Sequence, residues 1–183
     1  MLIEPLCKDR ECLVVGSAPC VVDDIERLAY GAKLSSEMLV IGANGGAKII
    51  YNQIGRCDVL ATTSHLFQQR LPHERDTVKQ LEGLEFQSVW VDTKSGSCQL
   101  PFEVTPHYVS PGYRSRVIDI ACGLTEWVST GVWALCLAKV SGAARLLYAG
   151  IAPHINGHYG MMNNAGRDHS NADEIVIGRL FHG

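Results

Sequence analysis

The stretch Ser129-Thr130-Gly131-Val132-Trp133-Ala134-Leu135-Cys136-Leu137 joins a polar turn to a run too apolar for a surface helix. With Val140 added, it reads as a helix buried under a sheet, and a short strand pattern, Ala144–Gly150, follows it. Hydroxyl and glycine residues at such a turn leave backbone N–H groups free to meet a ligand's negative oxygens. Ser129, Thr130 and Gly131 are therefore candidate binding residues. Taken alone, the pattern is one of plain core packing, and it gains a further meaning only from the ends of the other strands.

Outward from that stretch, the same alternation recurs. Cys12–Ala18 is an apolar run closed by small residues and Pro19, a buried strand running into a turn. Asp23 and Asp24 open a helix, in the first turn where the dipole favours acids, and Ile25, Leu28, Ala29 and Ala32 keep one face. Met38–Ala43 is a second buried strand ending in Asn44-Gly45-Gly46, followed by a short helix over Ala47–Gln53 with Gly55 as its stop. Asp58–Thr62 and Ser88–Asp92 read as further strands. The stretch Thr93–Gly123 is the least regular, with an edge strand expected around Phe102–Val109 and a loop through Pro111-Gly112-Tyr113-Arg114.

Repeated strand, turn and helix predict one α/β domain over residues 1–183, Rossmann-like, with a mostly parallel, doubly wound sheet and helices on both faces. Ligands of such sheets bind beyond the carboxyl ends of the strands. The segments expected there are Gly16-Ser17-Ala18-Pro19, Asn44-Gly45-Gly46, Thr62-Thr63-Ser64-His65 and Ile151–Tyr159, all small and polar.

Composition narrows the function. A net charge of −3 over 183 residues gives no basic stripe for nucleic acid. Glu4, Lys8, Asp9, Arg10 and Glu11 argue against a signal peptide, and no apolar run approaches membrane-spanning length. The seven cysteines are scattered without a C-x-x-C pair, which favours a reducing compartment and a cytoplasmic location over a zinc site. His154 and His158 stand four apart, but Asn156-Gly157 between them argues for a turn, so no metal ligand is assigned.

At the tail, Ser170 with Asp173, or Asn171 with Glu174, can cap a helix carrying Ile175, Val176, Leu180 and Phe181. His169 then stands just before the helix N-terminus, where the dipole disfavours imidazolium and suits a neutral base. The same spacing also fits a surface histidine beside an ordinary cap.

Together, these blocks resemble the bacterial sialyltransferases that decorate lipooligosaccharide. Gly16-Ser17-Ala18-Pro19 resembles that family's Gly-Asn-Gly-Pro, and Asn44 its asparagine after the second strand. Cys57–Phe67 resembles the block after its third strand, and Thr130-Gly131-Val132 its Ser-Gly-Val. Tyr148–Ile151 and His169-Ser170 resemble its Ser-Gly-Ile and His-Ser. Ser17 and Thr63 stand where the family has asparagines, and His154 where it has a tyrosine. Only Gly160–Asp168 separate Tyr159 from His169, so the likeness is to a minimal form without the family's lid or C-terminal extension.

The resemblance implies an inverting, metal-independent glycosyltransferase that takes a CMP-activated sugar and needs no further cofactor. It implies His169 as base, Tyr159 and His154 on the leaving phosphate, and Gly16, Ser17, Asn44, Thr63, Ser129, Thr130 and Gly131 around the donor. Its partners are then the nucleotide sugar and a glycan or small-molecule acceptor, with no nucleic acid; a peripheral membrane contact and a homo-oligomer stay open. Two other readings remain. Gly42-Ala43-Asn44-Gly45-Gly46-Ala47 also resembles the Asp-Gly-Gly-Ala turn of thiamin and pterin pyrophosphokinases, whose Mg²⁺ wants carboxylates where this chain has Asn44 and Thr62-Thr63-Ser64-His65. The third reading is a nucleotide-binding module without catalysis.

Overall fold

Leu39-Val40-Ile41-Gly42-Ala43 shows no alternation of apolar and polar residues, and all of it is buried, as a strand covered on both faces requires. The computed structural model, which describes residues 4–31, 33–93, 100–125, 127–155 and 170–182, makes this stretch one strand of a six-stranded sheet. The strands are β1 (Glu11–Val15), β2 (Leu39–Ala43), β3 (Val59–Thr63), β4 (Ser88–Asp92), β5 (Pro106–Val109) and β6 (Arg145–Ala149). Their order is β5-β4-β3-β2-β1-β6, and every pairing is parallel. The chain thus steps outward from β1 to β5 and then returns to the other side of β1, which puts the reversal point between β1 and β6.

Helices cover both faces, and the strands divide their side chains between them. On one face Leu13, Val15, Val40, Leu60 and Val89 pack with α2 (Val21–Tyr30), α3 (Gly46–Ile54) and α4 (Pro72–Leu81). On the other, Val14, Leu39, Ile41, Val59 and Trp90 pack with α5 (Pro111–Cys122), α6 (Thr130–Val140), α7 (Ser170–His182) and the short α1 (Glu4–Cys7). This is an α/β Rossmann-like fold.

The helix α6 is apolar all round because it is enclosed all round. Gly131–Ala138 are all buried, with β1, β2, β3 and β6 beneath and α1, α5 and α7 outside. Burial of each large side chain contributes roughly 1.5–3 kcal/mol. Packing, more than the Ser129 cap at about 1 kcal/mol, holds this helix.

Two segments depart from the sequence reading. The expected loop at Pro111–Arg114 is the first turn of α5: Ser110 Oγ accepts from Tyr113 N at 3.2 Å, and Pro111 fits the first turn, where its missing N–H costs nothing. The signals were present, but Gly112 and a weak apolar stripe masked them. The sequence pattern also predicts no helix between β3 and β4, where α4 stands. Its sequence, Pro-His-Glu-Arg-Asp-Thr-Val-Lys-Gln-Leu, buries only Glu74, Thr77, Val78 and Leu81, and Glu74 Oε2 closes its start by accepting from Leu71 N at 2.8 Å. In α7 the core positions are Val176 and Ile177, while Ile175 is half exposed.

Candidate functional site

The carboxyl edge of the sheet is organised by Asn44. The chain leaves β2 there in the left-handed region, φ 49°, a conformation asparagine tolerates better than other side-chain-bearing residues. Thr62 Oγ1 donates to Asn44 Oδ1 at 2.9 Å, and Asn44 Nδ2 donates to Thr130 Oγ1 at 3.4 Å. One side chain therefore ties the ends of β2 and β3 to the start of α6, across 86 positions of sequence. Ser129 caps α6 by accepting from Val132 N at 3.4 Å, and its own N–H donates to the buried Asp173 of α7 at 2.7 Å. That N–H is thereby committed to a protein carboxylate.

At the reversal point the backbones of β1 and β6 meet at van der Waals range. Gly16 N donates to Ala149 O at 2.8 Å, and Ala18 N donates to Gly150 O at 2.9 Å. A Cβ on Gly16 would lie 2.3 Å from Gly150 O, and one on Gly46 would lie 2.2 Å from Val15 O. Asp24, expected only as a helix-opening acid, also accepts from Gly150 N at 2.9 Å and so fixes this corner. The glycine at position 16 is thus required by packing, whatever it does for a ligand. The same holds more mildly for Gly131, whose Cβ would stand 3.2 Å from Ile151.

Between α3 and α4, at the carboxyl ends of β1 to β3, lies a groove of about 490 Å³ lined in part by Ser17, Asn44, Lys48, Thr63, His65 and Glu74. Ser17, Asn44 and Thr63, three of the expected binding residues, share it. Thr130 reaches the same edge through Asn44. His154 does not line the groove; it lies past β6, is largely exposed, and sits 3.4 Å from Glu174 of α7. Tyr159 and His169 lie outside the described residues.

Inside the groove is a pair that the sequence reading passed over. His65 Nδ1 lies 2.7 Å from Glu74 Oε1, with the Glu74 side chain 4% exposed and that of His65 54% exposed. In the sequence His65 stands only as part of the small polar segment Thr62-Thr63-Ser64-His65 after β3. Glu74 was hidden because α4 itself was missed, although Leu71-Pro72-His73-Glu74 carries a helix-start signal in Pro72 and Glu74.

Under the edge, a buried ion pair anchors the scaffold. Asp92, the last residue of β4, binds the guanidinium of Arg114 on α5, which also donates to Val128 O just before α6. Arg114 stacks 4.2 Å from the Trp127 ring centroid. Burial pulls its ionisation below the ordinary arginine value, while Asp92 and Asp173 oppose that shift. Among the described residues, no three His, Cys, Asp or Glu side chains are grouped as a metal ion would need.

No protein-family model matches this chain, and no curated protein matches it.

Proposed function

We propose that this chain binds a cytidine nucleotide at the carboxyl edge of its sheet and transfers a sugar from the CMP-activated form, without a divalent metal and with inversion. The observation that carries the reading is Asn44, which holds Thr62 and Thr130 while lining the groove shared by Ser17 and Thr63. Residues from four separate blocks of the family-like pattern thus meet at one edge, where open α/β sheets take their ligands. Hydroxyl and amide side chains of this kind recognise ribose and base without charge. In this reading His169 takes the acceptor hydroxyl's proton and Tyr159 steadies the departing phosphate, while His154, held beside Glu174 outside the groove, takes no part.

Titration of CMP in EDTA, followed by calorimetry, tests the binding step, with UDP and ADP as comparators. Metal-free binding that prefers CMP is the expected result. Binding that appears only with Mg²⁺ would move the assignment to the pyrophosphokinase-like reading. CMP binding with no release of CMP from CMP-activated sugars would leave a binding module. For the chemistry, His169→Ala should leave CMP affinity nearly unchanged while transfer falls by ~10²-fold or more, because a base acts on the acceptor and not on the nucleotide.

A further inference from the structure

We infer that His65, oriented by the buried carboxylate of Glu74, is a phosphate-binding side chain of the α3–α4 groove. The inference rests on the nucleotide-binding reading above and adds to it a contact that no resemblance assigned. Among the described residues Glu74 is the only carboxylate lining the groove, and both of its oxygens are engaged: Oε2 by Leu71 N at 2.8 Å and Oε1 by His65 Nδ1 at 2.7 Å. A carboxylate accepts, so Nδ1 carries a proton and Nε2 is the ring nitrogen left for a ligand. The carboxylate thus fixes the ring, as it does for histidines that must present one nitrogen to a bound group.

The rest of the lining points to an anion. Lys48 from α3 and His73 from α4 share the groove with His65, and the one acid among them is buried and used. A protonated His65 beside Glu74 is an ion pair whose Nε2–H is a charge-assisted donor, the kind that phosphate oxygens favour. Ser17, Asn44 and Thr63 in the same groove supply the uncharged side of a nucleotide site. His154, by contrast, faces Glu174 beyond β6, away from this groove. The volume, about 490 Å³, falls within the range of small-molecule sites.

The full chain, labelled with ¹⁵N, is titrated with CMP and separately with inorganic phosphate in EDTA, and its histidine ring nitrogens are followed by long-range NMR correlation. His65→Gln identifies the His65 signals. In the free protein, Nδ1 of His65 should be protonated, and Glu74→Gln should change that signal. CMP should shift His65 Nε2, and His65→Ala should weaken CMP binding ~10-fold at a temperature where circular dichroism shows the variant folded, because loss of the ring also leaves the buried Glu74 Oε1 without its partner and lowers the melting temperature. CMP binding of equal strength in parent and His65→Ala would overturn the inference and leave the nucleotide reading standing. If CMP fails to bind but phosphate shifts Nε2, the phosphate site stands and the cytidine reading falls. If neither ligand moves the His65 signals, the inference is wrong.

Discussion

The Asn44 side chain makes two bonds of unequal strength. The one from Thr62, itself fully buried, is 2.9 Å long, whereas the one to Thr130 is 3.4 Å. Thr62→Val should therefore cost about 1 kcal/mol in urea unfolding, and Thr130→Val less than half of that. Replacing Asn44 adds a backbone effect, because φ 49° is unfavourable to most side chains. Asn44→Ala should lose roughly 2–3 kcal/mol, and Asn44→Gly, which loses the same bonds but fits the conformation, about 1 kcal/mol less. Equal losses for the two would mean that the left-handed turn carries no strain. The buried pair behaves differently again. Asp92→Asn or Arg114→Met leaves an uncompensated charge or a desolvated partner and should cost ~3–5 kcal/mol, while the double apolar replacement should cost less than either.

At the scale of elements, the carboxyl edge is built by helices brought unusually close to strands. The first residue of α3, Gly46, admits no Cβ, because Val15 O and Gly16 O would lie 2.2 and 2.7 Å away and both are backbone. Gly46→Ala must move α3 off β1, with a loss of ~1–3 kcal/mol or more and a widened groove. Gly178 in α7 provides the control, since no atom of the described residues lies within 4 Å of its added Cβ. Gly178→Ala should raise stability by ~0.5–1 kcal/mol through helix propensity alone. Paired thermal melts of the two variants, one falling and one rising, check whether close packing or propensity governs each glycine. The missed helix α4 belongs to this scale too. Its polar sequence gave little periodic signal, and its place is decided by Val78 and Leu81 against the sheet and by Glu74 at its start.

For the molecule as a whole, the buried cysteines link stability to alkaline pH. Burial pushes the Cys57 thiol from 9.0 up to about 12. The folded chain thus holds this proton more tightly than the unfolded chain does. Its contribution is complete below pH 9 and is lost as pH rises from about 9 to about 12, by about 1.4 kcal/mol for each pH unit. Cys57→Ala removes that proton, so the stability gap between parent and variant should shrink across this window. A gap that stays constant would show that the thiol is not held protonated by burial.

The alternation of apolar runs with polar turns determined the parallel sheet, its two helical layers and the edge at which Asn44, Thr62 and Thr130 would stand. It could do so because a strand covered on both faces must be apolar throughout, and an enclosed helix such as α6 must be apolar on every side. Only the tertiary structure decided which of those edge residues touch. The Asn44–Thr130 bond, the Ser129–Asp173 bond and the His65–Glu74 pair join positions whose nearness follows from strand order and helix docking. A hydrogen bond reaches about 3 Å, and no local pattern can place residues to that tolerance until the core between them has packed.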